Sequence, residues 1–350
     1  MEVKALKFGG LTAKRPIVQG GMGVGVSLSS LAGNVAKCGG IGTISGVHPG
    51  YREADFKENP FRANLRAIGN ELEKAKEIAN GGIIGFNFMT VMNHYEEYVK
   101  EAIGAGADFI VSGAGLPVNL AKYAAGTRAA ILPIVSSARA LKLIVKQWQR
   151  ADRLPDAVVV EGPLAGGHLG YPYGHLVDGT FDTLEDSLVD VVDYVRELEE
   201  KNGVKIPVIA GGGVRNHADV ERLMALGASG VQVGTKFVAT EECDAAPAFK
   251  QAYLRSRKED VQLIESPVGL AARAIRNSFL EKVEKQGRIP VQRCYQCMNH
   301  CKQAETKYCI SQALIDAVQG REGLVFCGAN AYEIEKLSTV EKVMQELCGE

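Results

Sequence analysis

The chain contains 350 residues, of which 46% are hydrophobic and 23% are charged, a composition typical of a soluble protein with a large core. Its formal net charge is −1 and its Lys and Arg residues form no dense cluster, which argues against nucleic acid or a membrane surface as a partner. The N-terminus lacks the apolar core of a signal peptide, so we expect a cytoplasmic protein. In that location the eight cysteines are expected to be thiols or metal ligands rather than disulfides.

Short apolar runs alternate with helical patterns through about the first 240 residues, which predicts repeated βα units and a parallel sheet. Eight predicted strands match the number in a (β/α)8 TIM barrel, which is the predicted fold within the α/β class. A doubly wound open sheet is the alternative, but its glycine fingerprint is not placed as expected. The predicted strands span residues 16–19, 41–44, 83–87, 109–112, 130–135, 157–161, 207–210 and 230–233. The predicted helices between them span residues 28–38, 61–80, 95–105, 138–149, 184–200 and 218–226.

Two insertions and a C-terminal extension depart from this alternation. The insertions, residues 46–60 and 169–180, follow the C-terminal ends of predicted strands, where TIM barrels carry their active sites. Each could be a lid over the site or an ordinary surface loop, and the sequence does not favour one over the other. Residues 1–242 are predicted to form the barrel core and residues 243–350 a mostly helical extension, with helical patterns at 245–258, 270–285 and 309–318.

Three predicted strands end in glycines, which allow the backbone to approach a ligand closely. The first is followed by Gly166, Gly167 and His168, and this histidine is the nearby group able to exchange protons close to neutral pH. The other two lead into Gly211-Gly212-Gly213 and Gly234-Thr235, in the loops after strands seven and eight. These loops often bind phosphate in TIM barrels, so a phosphate site is predicted there, with tight strand–helix packing as the alternative.

Six sequence segments carry a resemblance to a known family, and they occur in order between about residues 15 and 240. They read PIVQGGM from residue 16, GGIG from 39, GFNFM from 85, AGGHLG from 165, IPVIAGGG from 206 and VQVGTKF from 231. The chain thereby resembles the nitronate monooxygenase family of FMN-dependent TIM barrels, formerly named 2-nitropropane dioxygenases. This group also includes flavin-dependent enoyl-acyl-carrier-protein reductases.

The resemblance implies an FMN that lies across the C-terminal ends of the strands, with His168 in the position of the family's catalytic histidine. Two departures concern the cofactor contacts: Pro163-Leu164 precedes Ala165 where the family has glutamate, and Ser136-Ser137 stands where a lysine is common. The implied cofactor contacts are Gly21, Met22 and Gly23 along the flavin, Asn87 and Glu161 at the ring or ribityl chain, and Gly166, Gly167, Gly212, Gly213, Gly234 and Thr235 at the phosphate end.

The leading hypothesis is an FMN-dependent oxidoreductase that oxidises alkyl nitronates with O2. His168, with a pKa near neutrality, would abstract a proton or donate a hydrogen bond to a nitronate oxygen. The alternative is an NAD(P)H-dependent reductase of an enoyl thioester or another activated alkene. A phosphosugar or nucleotide barrel without flavin and a non-catalytic redox sensor are more distant alternatives. The expected substrate is a small molecule, and a homodimer is one option for the assembly.

Four cysteines in the extension lie close together in sequence: Cys294, Cys297, Cys301 and Cys309. Thiolates at this density suit an iron–sulfur cluster, because one loop can then reach all of its corners. The spacing is similar to that of old-yellow-enzyme-type iron–sulfur flavoproteins, except that the last gap is shorter. A zinc ion with His300 as a further ligand is the second option, and four unligated thiols are the third. This motif lies outside the resemblance to the barrel family.

Overall fold

A computed structural model of the protein describes residues 4–299 and 301–350. All eight strands predicted for the barrel are present, each within two residues of its predicted bounds. The strands are β1 (Leu6–Phe8), β2 (Leu11–Ala13), β3 (Ile17–Gln19), β4 (Ile41–Ser45), β5 (Ile83–Met89), β6 (Phe109–Gly113), β7 (Ala130–Val135), β8 (Val158–Glu161), β9 (Gly167–Leu169), β10 (Val208–Gly211), β11 (Gly230–Val233), β12 (Val261–Glu265) and β13 (Ala271–Ile275).

The helices predicted between these strands are also present, with short additional ones. In the described part of the chain, no helix combines the length and apolar character needed to cross a membrane. The helices are α1 (Ser29–Lys37), α2 (Pro60–Ala79), α3 (Tyr95–Gly104), α4 (Leu120–Tyr123), α5 (Ala138–Trp148), α6 (Tyr173–Asp178), α7 (Leu184–Asn202), α8 (His217–Ala225), α9 (Thr235–Val238), α10 (Pro247–Arg255), α11 (Ser278–Gln286), α12 (Ile310–Val318) and α13 (Val340–Cys348).

The central sheet is a closed parallel barrel. Strands β3 to β8 lie side by side in chain order, and β10 and β11 complete the circle between β8 and β3. This arrangement confirms the predicted TIM barrel. Because all eight strands run in the same direction, the loops that follow them gather at one end of the barrel, where a ligand can contact several of them at once.

Apolar side chains fill the barrel interior, as in other closed barrels of this size. Val18, Phe109 and Ile209, from three different strands, belong to this buried cluster. The β1–β2 hairpin, which the sequence pattern did not predict, adds Leu6 and Phe8 to this cluster. The ring of Phe8 contacts that of Phe109 edge-on, with 6.1 Å between the ring centroids. The hairpin lies against the N-terminal ends of β7 and β11, so the opposite end is left for the site.

The C-terminal extension packs onto the barrel through one continuous hydrophobic core, to which helices α10 to α13 contribute together with α1 and α2. Asp244, at its start, accepts hydrogen bonds from the backbone N–H groups of Leu28, Ser30 and Leu31 at 2.8, 3.2 and 3.0 Å. A carboxylate at a helix N-terminus satisfies donors that have no partner within the helix. This contact ties the extension to the beginning of α1, while the boundary at residue 242 stays a prediction.

One helix predicted in the extension is wrong in its first half. Within the predicted range 270–285, Ala271–Ile275 forms β13 and only Ser278–Gln286 is helical. The alanine-rich sequence of β13 favours a helix, but its five residues are buried and pair antiparallel with β12. The first three of them, Ala271 to Arg273, also pair antiparallel with β9. Tertiary pairing therefore overrides local propensity here. The resulting three-stranded sheet, with its β12–β13 turn, carries part of the site.

The two insertions differ in character. In residues 46–60, the side chains of His48, Tyr51 and Phe56 are buried, and Nε2 of His48 lies 2.8 Å from Oγ of Ser311 in α12. This segment is therefore packed against the extension and is not a loose lid. Residues 169–180 contain α6 and are largely exposed, which is compatible with both a lid and a surface loop.

Candidate active site

A cavity of about 1350 Å³ opens at the C-terminal end of the barrel. Its volume exceeds the range of about 300–1,000 Å³ that is usual for ligand pockets, so a cofactor and a substrate can fit together. Every residue that the sequence analysis assigned to the cofactor or to catalysis lines this one cavity. These residues are Gly21, Met22, Gly23, Asn87, Glu161, Gly166, Gly167, His168, Gly212, Gly213, Gly234 and Thr235.

Glycines shape two walls of the cavity. A side chain on Gly21 would collide with the Cβ atom of Asn87, so only glycine lets the loop after β3 pass so close to β5. Gly212 after β10 has φ +106°, a conformation that residues with a side chain rarely adopt. Both loops therefore present bare backbone to the cavity, as a closely held ligand requires.

The predicted phosphate end is covered by a segment of the extension. The hydroxyl of Thr235 accepts a hydrogen bond from the backbone N–H of Gly328 at 3.2 Å. The N–H of Ala329 donates to the carbonyl oxygen of Leu164 at 3.1 Å, which holds the loop after β8 in place. The glycines around this segment line the cavity without side chains that would fill it, so these residues fit the phosphate end of FMN.

His168 lies in β9, opposite Ala272 of β13, and its ring faces the cavity. Its Nε2 is 2.7 Å from Oγ of Ser266, and the ring of Phe326 meets it edge-on at 4.9 Å between centroids. Burial lowers the pKa of His168 from 6.5 to about 4. The expectation of a pKa near neutrality is therefore wrong: desolvation keeps this imidazole uncharged at pH 7.

The residues that hold His168 and its loop come from the extension, and the sequence analysis missed them. Ser266 lies in the turn between β12 and β13, and the guanidinium of Arg273 donates a hydrogen bond to the carbonyl oxygen of Ala165. The one local signal was the Ser-Pro-Val-Gly sequence at 266–269, which is typical of a turn between two strands. It indicates the hairpin but does not indicate its proximity to His168.

Glu161, at the end of β8, is a second ionisable group in the cavity. Burial raises the pKa of its carboxyl from 4.5 to about 7, although a hydrogen bond from the backbone of Gly170 and the charge of Arg273 act in the opposite direction. A carboxyl with such a pKa exchanges its proton close to neutral pH, which is common for groups at functional sites. The sequence analysis treated Glu161 only as a cofactor contact.

The family can be assigned once this geometry is compared with known proteins. The model of the nitronate monooxygenase family matches residues 4–350. The chain belongs to the nitronate monooxygenase family. It is accordingly an enzyme of the oxidoreductase class, from a family that in general depends on flavin. The match also covers the extension, beyond the residues between 15 and 240 that carried the resemblance.

The chain is also similar to several relatives and solved structures. A "Probable nitronate monooxygenase" of Staphylococcus saprophyticus is 25% identical over 308 residues, covering 81% of this chain and 82% of that protein. A second "Probable nitronate monooxygenase", from Staphylococcus aureus, is 26% identical over 305 residues, covering 80% of this chain and 81% of that protein. FabK of Thermotoga maritima superposes with a TM-score of 0.72 at 23% identity, over 96% of this chain and 92% of FabK. Nitroalkane oxidase of Streptomyces ansochromogenes superposes with a TM-score of 0.66 at 20% identity, over 96% of this chain and 95% of that protein. These two structures show that the fold is shared.

Two other ionisable groups near the glycine loops are not available to a ligand in the same way. His175 is exposed on α6 and is not among the residues that line the cavity. Lys236 does line it, but its ammonium pairs with the carboxylate of Glu346 at 2.7 Å. Among the residues predicted to contact the flavin or the substrate, His168 and Glu161 are the two that can ionise.

The four cysteines of the extension surround a second, smaller cavity of about 190 Å³, and Cys301 lines both cavities. All four are free thiols. Among the His, Cys, Asp and Glu side chains that the structure describes, no three converge closely enough to hold a single metal ion. His300, the predicted further zinc ligand, lies outside the described residues. The described cysteines by themselves therefore do not form a zinc site.

Proposed function

We propose that this member of the nitronate monooxygenase family is an FMN-dependent enzyme that oxidises alkyl nitronates with O2. The observation that carries the proposal is that His168 and all the predicted flavin contacts line one cavity. These residues come from loops far apart in sequence, so their meeting at one end of the barrel supports a shared ligand. A cytoplasmic location, in which the eight cysteines would stay as thiols or metal ligands, belongs to the same proposal.

The cofactor contacts follow from the walls of the cavity. FMN, when bound, supplies the electron transfer between substrate and O2. In our proposal the loop of Gly21, Met22 and Gly23 lies against the flavin, while Asn87 and Glu161 offer hydrogen bonds to it. The glycine loops after β8, β10 and β11 would hold the phosphate through backbone N–H groups.

His168 is proposed to bind and orient the substrate. A nitronate already carries the negative charge that results from loss of the α-proton, so its oxidation needs no strong base. A neutral imidazole can donate an N–H to a nitronate oxygen, and the low pKa of about 4 keeps His168 neutral across the physiological range. The hydrogen bond between Nε2 and Ser266 restricts rotation of the ring and thereby fixes where its other nitrogen points.

A second candidate is an NAD(P)H-dependent reductase of an enoyl thioester or another activated alkene. The observation that favours it is the cavity volume of about 1350 Å³, because a small nitronate beside the cofactor would leave much of that space unfilled. In that reaction Glu161, with a pKa of about 7, is the group better placed to supply a proton than the neutral His168. Use of NAD(P)H is the feature that separates the two candidates.

The deciding experiment is anaerobic spectroscopy of the purified protein. Bleaching of a flavin band by an alkyl nitronate, with recovery on admission of O2 and no response to NAD(P)H, supports the main proposal. Rapid bleaching by NAD(P)H alone supports the reductase and overturns the monooxygenase. Failure to bind FMN even after incubation with the free cofactor overturns both. The His168→Ala variant serves as the control, since it should keep the flavin band and lose the response to nitronate.

A further inference from the structure

Cys294, Cys297, Cys301 and Cys309 in the C-terminal extension form a second candidate site, which we call the four-thiol site. All four residues line one cavity of about 190 Å³ beside the large cavity. The other three thiols lie near Cys297. Four thiols that line one cavity are a suitable ligand set for a thiophilic group.

Hydrogen-bond donors already point at these sulfur atoms. The backbone N–H of Gln296 donates to Sγ of Cys294 at 3.3 Å. Sγ of Cys309 accepts from the backbone N–H groups of Ser311 and Gln312, in the first turn of α12. Such N–H···S bonds accompany ligated sulfur in metal centres, where they orient the ligand.

The size of the cavity distinguishes between a single ion and a larger group. Four thiolates around one zinc ion must approach it to about 2.3 Å, and the described cysteines do not converge in that way. The cavity of about 190 Å³ is also several times the volume of about 30 Å³ that one water molecule occupies. An iron–sulfur cluster interposes several iron and sulfide atoms between its ligands, so it suits thiols that are farther apart.

The segment that carries the thiols is anchored rather than loose. The backbone N–H of Asn93 donates to the carbonyl of Cys297 at 3.1 Å, and its side-chain amide donates to the carbonyl of Gln296 at 2.7 Å. The ring of Tyr295 stacks on that of Phe56 with 5.4 Å between centroids. The 46–60 insertion and the loop after β5 therefore hold this segment against the barrel, as a preorganised site requires.

We propose that the four-thiol site binds an iron–sulfur cluster beside the flavin cavity. Cys301 lines both cavities, so the bound cluster and the large cavity share a wall. This site is independent of the reaction proposed above, since its ligands do not include any residue assigned to the flavin or to the substrate.

The test is the metal content of the full-length protein, purified without oxygen and reconstituted with ferrous iron and sulfide. We expect about two or about four iron atoms per chain with matching acid-labile sulfide, and an electron paramagnetic resonance signal after dithionite reduction. Cys294→Ala, at the exposed member of the site, should lose the iron and the signal. Cys38→Ser, a half-buried thiol at the end of α1, should keep both and is the matched control.

The outcomes are distinct. Zinc without sulfide, or no metal after reconstitution, overturns the proposal, and so does undiminished iron in both Cys294→Ala and Cys297→Ala. The FMN content and the melting temperature of each variant report whether the fold is intact. A protein that binds the cluster but no FMN would contradict the proposed reaction while leaving this site in place.

Discussion

Replacing Glu161 with glutamine tests the electrostatics of the cavity directly. Burial raises the pKa of this carboxyl from 4.5 to about 7. At about 1.36 kcal/mol per pH unit, that elevation corresponds to a cost of about 3 kcal/mol for the ionised form in the folded protein. Glutamine keeps an oxygen that can accept the N–H of Gly170 but carries no charge, so the variant avoids this cost.

The direction of the pH dependence follows from proton linkage. Between pH 4.5 and about 7 the folded protein binds more protons at Glu161 than the unfolded chain does, so the free energy of unfolding falls as pH rises through this window. Well above pH 7 Glu161 is ionised in both the folded and the unfolded state, so the free energy of unfolding falls no further. We therefore expect Glu161→Gln to resemble the wild type at pH 5 and to be more stable by up to about 3 kcal/mol at pH 8.

Thermal unfolding of the flavin-free protein between pH 5 and pH 8 measures this difference, which should appear as an increase of several degrees in Tm at the higher pH. Glu197→Gln, at an exposed glutamate of α7, is the matched control and should show no such dependence. In the holoenzyme, a change in kcat/KM near pH 7 should vanish in Glu161→Gln. A stability difference that is the same at pH 5 and pH 8 would refute the reasoning.

Variants at three positions test the site further. His168→Ala should lower turnover by about a hundred-fold through loss of the hydrogen-bond donor to the substrate, with FMN still bound, as measured by steady-state kinetics and flavin content. Unchanged turnover would assign the role to another residue. Gly234→Leu should lose FMN, because an added Cβ already lies 3.3 Å from Sδ of Met22 and a larger side chain enters the cavity, whereas Gly234→Ala should retain it. Equal flavin content in these two proteins would contradict the phosphate assignment. Ser266→Ala should reduce kcat about five-fold through loss of one hydrogen bond to His168, with recovery in Ser266→Thr. If Ser266→Ala lowers Tm but leaves kcat unchanged, Ser266 stabilises the fold without positioning His168.

The barrel was predictable because its signals are local. Each strand is a short apolar run bounded by glycine or a helix start, and the run at 230–233 has the observed bounds. The helix predicted at 270–285 was partly wrong for the same reason. The local sequence of Ala271–Ile275 favours a helix, and only its pairing with two other strands makes it a strand. Local propensity cannot register a partner that lies elsewhere in the chain.

Part of the candidate site could likewise be predicted from the sequence, and part could not. The glycine loops, Glu161 and His168 follow barrel strands, and the common direction of those strands brings their ends together, so their shared position was implied by the fold class. The contacts of Arg273 and of Phe326 at the site were not implied, because both residues come from the extension. Likewise, the pKa values of His168 and Glu161 depend on how far each group is desolvated by its neighbours.

By itself, the sequence determined the alternation of strands and helices, the closed barrel, the glycine-lined end and the identity of its histidine, since spacing along the chain encodes all four. Only the tertiary structure decided what surrounds that histidine. His168 and its partner Ser266 are 98 positions apart, and their 2.7 Å contact exists because β13 pairs with β9. Burial by such distant segments sets the charge state of the site, and burial is a property of the packed molecule rather than of any local stretch of sequence.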